Sequence, residues 1–364
     1  MRIGLLGAST ALCAAALSGF VGWHFAPAPD EAPGPALHRT CGDCPYLYEL
    51  DPEHPEINSH GMRGVEIERA KAEGTTRILV LGDSVAYGLL VATEEAFPAL
   101  LERGLSTPER PVEVLNAAVS GYGPFNELAY YPAKGRRFAP DLVVVVFVMN
   151  DVANPRLHWA YTREPLPAIP DDAIPNLDYD RGVVQPILAS RDGLRRHLTR
   201  SGLENHGPLR VGSAPPHHIT GEDTLGIEVL LDPQTPEWRW LRDHYIRLQR
   251  EVAADGARFA IVWVPLAYQL DPDYLLLPQR LFGDYCREQS VACLDLLPVL
   301  RARPDQRLFF GRMGRLQDIW HLTPSGHRVT AAALEHFVRS ERLLFPASSP
   351  ASAAGPPAAP DPPH

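Results

Sequence analysis

The chain has 364 residues, of which 45% are hydrophobic, and its formal net charge is -10. This length accommodates one large α/β domain with insertions, or two small domains. An acidic balance without a basic cluster lacks the electrostatic footprint of a nucleic-acid-binding protein, so we expect no nucleic-acid partner.

The N-terminal segment, residues 1–25, is predicted to be a membrane anchor. Arg2 precedes an uncharged, mostly apolar run that continues to Phe25. Such a run is long enough to span a hydrocarbon core as a helix and longer than the usual core of a signal peptide. A cleaved signal is the alternative, but Pro29 follows the small-x-small sequence that a signal peptidase would need. Either interpretation exports the rest of the chain to the periplasm or another extracytoplasmic space, behind a Pro/Ala-rich spacer at 26–45.

Four of the five cysteines form two local pairs, Cys41 with Cys44 and Cys286 with Cys293. Four thiolates could bind zinc, although the second pair lacks the tight spacing of a metal-binding knuckle. A redox-active CxxC is disfavoured because no βαβ pattern surrounds the first pair. In an oxidising compartment two local disulfides are the simpler prediction. The sequence predicts no metal and no cofactor.

Apolar, β-branched segments alternate with segments of helical periodicity through the main part of the chain. Thr93 is the candidate N-cap of the first long helix, and the apolar run at 141–151 suits the centre of a parallel sheet. The predicted strands are 77–82, 112–119, 141–151, 258–265 and 291–296, and the predicted helices are 93–105, 125–138, 236–256, 278–289 and one that follows residue 321.

This alternation predicts a three-layer α/β/α sandwich with a central parallel sheet of about five strands, within a domain at 46–345. Residues 152–235 are rich in proline and lack clear periodicity, so we interpret them as an insertion that drapes over this domain. Its early part, residues 154–159, is expected to line the substrate pocket. The low-complexity tail at 346–364 is predicted to be disordered.

The predicted sheet also indicates where reactive groups meet, because parallel strands present them at their carboxyl ends. The first strand leads to Ser84, the second to Gly121 and the third to Asn150. Asp318 and His321 are expected in the loop before the last helix, where the carboxylate can fix the tautomer of the imidazole. A nucleophile, amide donors, a base and its orienting acid together indicate acyl transfer.

In these blocks the sequence resembles the SGNH hydrolase superfamily, also called GDSL esterases/lipases, over about residues 76–340. The blocks stand in the order of that superfamily: GDS with Ser84, NAAVSG with Gly121, MND with Asn150, and DIWH with Asp318 and His321. The lead-in NSHGMRG at 58–64 also resembles exported bacterial members. The resemblance implies the flavodoxin-like fold of the superfamily.

The resemblance and the chemistry imply the same catalytic roles. Ser84 attacks an ester carbonyl, His321 moves the proton, and Asp318 orients the imidazole and stabilises its charged form. The oxyanion is bound by the backbone N–H groups of Ser84 and Gly121 and by the side-chain amide of Asn150.

Three positions test this resemblance. Val148 stands where the third block often carries glycine, and Gly123 competes with Gly121 as the second-block donor. We favour Gly121 because it follows the strand at the spacing of the family. The nucleophile elbow of the α/β hydrolases is excluded, since Ala86 occupies the second glycine position of Gly-x-Ser-x-Gly.

The leading functional hypothesis is a serine esterase that removes a short acyl group, such as acetyl, from an envelope carbohydrate or another small ester. An O-acyltransferase would use the same residues, with a sugar hydroxyl in place of water. A catalytically idle binding protein anchored at the membrane is the third hypothesis, and the complete set of catalytic residues argues against it.

Other polar residues have structural interpretations. Ser84 could merely cap a helix, and Asn150 could be a turn residue. The adjacent histidines at 217–218 are typical of a proline-rich loop rather than of a metal site. The remaining structural assignments are Asp83 and Asp151 as acceptors from loop amides, Arg63 as the partner of a carboxylate, and His327 as a residue of the first turn of the last helix.

Overall fold

The computed structural model describes residues 37–41, 44–46, 48–149, 151, 236–270, 277–313 and 316–344. The predicted anchor, insertion and tail lie outside these residues, as do Asn150 and the histidines at 217–218. Within the described part of the chain, no helix has the length and apolar character needed to cross a membrane.

The described chain begins with an antiparallel hairpin of strands β1 (His38–Thr40) and β2 (Tyr48–Leu50). The Cys41–Cys44 disulfide lies between the two strands. Leu37 packs on the main core, and Tyr46 and Tyr48 are buried in it. Leu37 and the strand that follows it, in a stretch that the sequence assigns to the spacer, therefore belong to the same compact unit as the main core.

The central sheet contains five parallel strands, which confirms the predicted fold class. Its strands are β3 (Thr76–Gly82), β4 (Val112–Asn116), β5 (Leu142–Phe147), β6 (Arg258–Trp263) and β7 (Ala292–Asp295). Their order across the sheet is β4-β3-β5-β6-β7. All six residues of β5 are buried, as expected for an apolar strand at the centre of a parallel sheet.

Seven α-helices are described around the strands: α1 (Ser84–Tyr87), α2 (Phe97–Leu105), α3 (Pro124–Ala133), α4 (Pro236–Ala254), α5 (Leu277–Gln289), α6 (Leu297–Arg301) and α7 (Pro324–Ser340). Helix α2 packs against α7, and α3 packs against α4. The Cys286–Cys293 disulfide joins α5 to β7.

Two predicted helices differ from the structure. The expected helix at 93–105 is a 3₁₀ turn at Thr93–Glu95 followed by α2, whose N-cap is Ala96 rather than Thr93. Pro98 near the start of α2 favours the later beginning, since proline suits the first turn of a helix. The expected helix at 125–138 is α3 followed by a separate 3₁₀ turn at Gly135–Phe138.

The second hairpin is absent from the sequence prediction. Strands β8 (Phe309–Met313) and β9 (Leu316–Leu322) pair antiparallel and precede α7 directly. Asp318 and His321 therefore lie on a strand, and the prediction that they occupy a loop is wrong. Their segment alternates too few apolar residues to be recognised as a strand, and its pairing with β8 is what keeps it extended.

Candidate active site

The carboxyl end of β3 positions Ser84. A Cβ atom at Gly82 would lie 2.7 Å from the Ala86 Cβ and 3.1 Å from the Val146 Cβ. Glycine at this position therefore allows α1 to begin close to the sheet. The Asp83 side chain caps α1 by accepting the Val85 N–H at 2.8 Å, so the helix cap is Asp83 and the Ser84 hydroxyl is not used as the cap.

The second hairpin positions the acid and the imidazole. One oxygen of Asp318, Oδ1, accepts the backbone N–H groups of Trp320 at 3.1 Å and His321 at 3.0 Å. The His321 Nδ1 atom lies 3.0 Å from both carboxylate oxygens of Asp318. These local bonds hold the imidazole edge-on to the carboxylate.

The imidazole reaches from the hairpin to the end of β3. His321 Nε2 lies 2.9 Å from Ser84 Oγ, and the two residues are 237 positions apart in the chain. An ionised carboxylate only accepts, so Nδ1 carries its hydrogen and Nε2 accepts from the serine hydroxyl. Ser84, Asp318 and His321 are each 2% exposed, so little solvent competes for these hydrogen bonds.

The pKa of the Asp318 carboxyl reflects two opposed effects. Burial acts to raise it, but the hydrogen bond and charge of His321, with the two backbone N–H donors, together lower the pKa below its ordinary value. The carboxylate is therefore ionised at neutral pH and can stabilise a positive charge on the imidazole.

The segment that leads from β4 to Gly121 runs alongside β3. The N–H groups of Ala117 and Val119 donate to the carbonyls of Val80 and Gly82, each at 3.0 Å, so the chain follows β3 to its end. Gly121 has a φ of +82°, a conformation that glycine adopts without strain. The turn it forms is buried.

The backbone N–H of Gly123 takes part in a different hydrogen bond. Its N–H donates to Asn126 Oδ1 at 3.3 Å, in the first turn of α3. Gly121 therefore has fewer competing structural demands than Gly123.

In the third block, Val148 and Asp151 bond to each other after the end of β5. The Asp151 Oδ2 atom accepts the Val148 N–H at 3.0 Å, and the Asp151 N–H donates to the Val148 carbonyl at 3.0 Å. Asp151 thus accepts from a loop amide, as the sequence interpretation holds, whereas Asp83 accepts from an amide in the first turn of α1.

A buried carboxyl beside this turn is missed by the sequence interpretation. Glu127 on α3 is fully buried, and neither of its carboxyl oxygens has a hydrogen-bond partner among the described residues. Its burial, and next the nearby Asp83 charge, raise the pKa of Glu127 well above its ordinary value. The sequence does contain a signal for this burial, because Glu127 shares one helical face with two aromatic residues, Tyr130 at i+3 and Tyr131 at i+4.

Asp151 has the same electrostatic environment. Its pKa is raised by burial, and then by the charges of Glu127 and Asp83.

Within the described residues, no group of three His, Cys, Asp or Glu side chains is arranged to hold a metal ion.

Arg63 and His327, for which the sequence predicts structural roles, both form hydrogen bonds that hold the fold together. Arg63 forms an ion pair with Glu56 at 3.0 Å and donates to the carbonyls of Tyr87, Gly88 and Val91. His327 lies in the first turn of α7, where its Nδ1 accepts the Phe97 N–H at 3.2 Å.

The fold and this site define an α/β protein with a hydrogen-bonded Ser–His–Asp chain at the carboxyl edge of its parallel sheet. The model of the GDSL-like lipase/acylhydrolase family matches residues 80–329, and the chain belongs to this family. The resemblance to the SGNH hydrolases is therefore confirmed.

Individual relatives are more distant. An arylesterase of Vibrio mimicus is 34% identical over 82 residues, which are 22% of this chain and 41% of the relative. The match thus spans less than half of that relative.

Two similar solved structures are esterases. The psychrotrophic esterase EstA of Pseudoalteromonas sp. has 12% identity and a TM-score of 0.39, covering 73% of this chain and 98% of its own. The acetylxylan esterase Axe2 of Geobacillus stearothermophilus has 13% identity and a TM-score of 0.39, covering 74% and 96%. The family assignment rests on the family model alone.

Proposed function

We propose that this protein is a serine esterase that hydrolyses a short-chain acyl ester through an acyl-enzyme on Ser84. The observation that carries the proposal is the chain of hydrogen bonds from Ser84 Oγ to His321 Nε2 at 2.9 Å and from His321 Nδ1 to Asp318 at 3.0 Å. Membership of the GDSL-like family and the similarity to an arylesterase support the same reaction class.

The proposed reaction has two halves, acylation of Ser84 and hydrolysis of the acyl-enzyme. His321 Nε2 takes the Ser84 proton as Oγ bonds to the ester carbonyl carbon, and the carbon–oxygen bond to the alcohol breaks as the alcohol takes that proton. Water then attacks the acyl carbon and gives a proton to His321. The bond between the acyl carbon and Ser84 Oγ breaks as Oγ takes that proton, and the carboxylic acid leaves. The Asp318 carboxylate stabilises the imidazolium that forms in each half.

The tetrahedral oxyanion in this proposal is bound by the N–H of Ser84, the N–H of Gly121 and the side chain of Asn150. Ser84 is the first residue of α1, and N–H groups in the first turn of a helix have no intrahelical acceptor. Loss of one oxyanion donor typically lowers the rate by about 10²–10³-fold.

We propose further that the protein acts outside the cytoplasm, on an acyl group carried by an envelope carbohydrate or another small ester. Two disulfides in the structure support an oxidising compartment, and residues 1–25 would serve as the anchor. An O-acyltransferase would pass the acyl group to a sugar hydroxyl instead of water. The ratio of free acid to acylated sugar, measured with both acceptors present, separates the two activities.

The proposal is tested with p-nitrophenyl esters of increasing chain length. We expect kcat/KM to be highest for acetyl and to fall as the acyl chain lengthens. Ser84→Ala should lower kcat/KM by about 10⁴-fold or more, because the nucleophile is lost, without lowering the melting temperature. Ser325→Ala is the matched control, since this serine bonds Gln306 at the surface. Equal turnover by Ser84→Ala and the wild type would exclude the proposed nucleophile.

A further inference from the structure

The hydroxyl of Tyr48 contacts the backbone of the second block. Tyr48 lies on β2 and is 4% exposed, and its hydroxyl donates to the Ser120 carbonyl at 2.9 Å, across 72 positions of the chain. The Ser120 carbonyl and the Gly121 N–H belong to the same peptide group. Tyr48 therefore holds the peptide that carries the proposed oxyanion donor.

This bond controls the direction of the Gly121 N–H. In a planar trans peptide the C=O and N–H point in opposite directions, so an anchored carbonyl fixes the N–H. Such an anchor is needed because Gly121, with a φ of +82°, occupies a backbone region in which glycine is conformationally permissive. The Ser120 side chain supplies none, since its buried Oγ has no hydrogen-bond partner among the described residues.

Tyr48 is itself firmly placed. The Tyr122 hydroxyl donates to the Tyr48 carbonyl, and the Tyr48 ring packs edge-on against the rings of His38 at 5.6 Å and Tyr122 at 5.2 Å. Its strand pairs with β1. The first hairpin therefore supports the Gly121 turn through the Tyr48 hydroxyl.

We infer that Tyr48 is a positioning residue for the oxyanion hole: its hydroxyl fixes the Ser120–Gly121 peptide so that the Gly121 N–H meets the developing oxyanion. This inference rests on the proposed function. It gives the N-terminal hairpin a role in the reaction, although no residue of the hairpin belongs to the four sequence blocks of the family.

The test compares two tyrosine-to-phenylalanine variants. Tyr48→Phe should lower kcat for p-nitrophenyl acetate about 10-fold with KM unchanged, because a misaligned donor loses part of the effect of a missing one. It should weaken binding of phenylboronic acid, which forms a tetrahedral adduct with the nucleophile, by a similar factor. The matched control is Tyr130→Phe. Tyr130 is buried in the same aromatic cluster, with its ring centroid 6.5 Å from that of Tyr122, and its hydroxyl has no hydrogen-bond partner among the described residues. That variant should retain wild-type kcat.

Incorporation of 3-fluorotyrosine at position 48 keeps the donor and should restore kcat, which guards against a folding defect in Tyr48→Phe. Wild-type kcat and boronate affinity in Tyr48→Phe, beside an inactive Ser84→Ala, would overturn the positioning inference and leave the esterase proposal intact. Equal losses in Tyr48→Phe and Tyr130→Phe would also overturn it, since packing rather than the hydrogen bond would then matter. An active Ser84→Ala would instead remove the proposed function.

Discussion

Two histidines six positions apart show how surroundings assign different tasks to one residue type. His321 uses both ring nitrogens in the chain between Asp318 and Ser84. His327 accepts the Phe97 N–H and stacks on the Phe97 ring, with ring centroids 5.9 Å apart. Burial, followed by the charges of Arg63 and His321, lowers the pKa of His327 to about 3. A neutral His327 therefore belongs to the folded state over most of the pH range.

We predict that His327 makes the fold sensitive to acid. Below pH 6.5 the unfolded chain takes up a proton on this residue and the folded chain does not, so stability falls as the pH drops from about 6.5 toward 3. His327→Asn keeps an acceptor near the Nδ1 position without titrating, and it should flatten the decline of the melting temperature between pH 6.5 and 5. His336→Asn, at an exposed position of the same helix, should leave that slope unchanged. An unchanged slope in His327→Asn would contradict the prediction.

Helix α7 depends on close contact with the hairpin that carries the acid and the base. Thr323 caps α7 by accepting the Gly326 N–H at 3.2 Å. A Cβ atom at Gly326 would overlap the Leu308 carbonyl and lie 3.0 Å from the side chain of Leu322, the neighbour of His321. Glycine at this position therefore lets the helix lie close against the hairpin.

We predict opposite effects for two helical glycines. Gly326→Ala should destabilise the fold by about 2 kcal/mol, because backbone must move to admit the methyl group, and it should lower kcat by displacing His321. Gly283→Ala on α5 should stabilise the fold by up to ~1 kcal/mol, since alanine is the better helix former and the added Cβ meets only Arg287 Nη1, at 3.5 Å. Urea denaturation measures both changes. A neutral Gly326→Ala would show that α7 docks more loosely than the structure indicates.

Across the whole molecule, three buried carboxyls connect elements that are distant in sequence. Asp83 follows β3, Glu127 belongs to α3 and Asp151 follows β5, and Tyr245 on α4 bonds Asp151 at 3.5 Å. Among the described residues, the charges that raise the pKa of the Glu127 and Asp151 carboxyls are those of the cluster itself. Buried like charges raise one another's pKa, so Glu127 and Asp151 keep their protons to a higher pH than exposed carboxyls do.

We predict that Glu127 costs stability as the pH rises. Its carboxyl has an ordinary pKa of 4.5, and burial raises this value in the fold, so the folded chain holds a proton that the unfolded chain releases above about pH 4.5. Stability from this group is therefore lost with increasing pH. Glu127→Gln should raise the melting temperature more at pH 8 than at pH 5. Glu53→Gln, at an exposed position, should show no such difference. The prediction fails if the gain of Glu127→Gln is the same at both pH values.

The sequence by itself determined the parallel sheet and the meeting of Ser84 with His321. Continuous apolar runs identify buried strands. Because parallel strands present reactive groups at their carboxyl ends, the predicted strands are enough to place distant residues at one edge of the sheet. The boundaries of the helices at 93–105 and 125–138 were less well predicted, because the local positions of Pro98 and Gly135 favour separate turns.

Only the tertiary structure decided that Asp318 and His321 lie on a strand, that Glu127 is buried beside Asp83 and Asp151, and that Tyr48 holds the Ser120 carbonyl. Each of these features depends on a contact between two segments, and neither segment has a local sequence pattern that predicts the contact. The β8–β9 hairpin lacks a clear apolar alternation, and a tyrosine in a short N-terminal strand has no local pattern that identifies a partner 72 residues away. Local periodicity encodes elements, whereas these contacts exist only once the packing of the elements has brought the segments together.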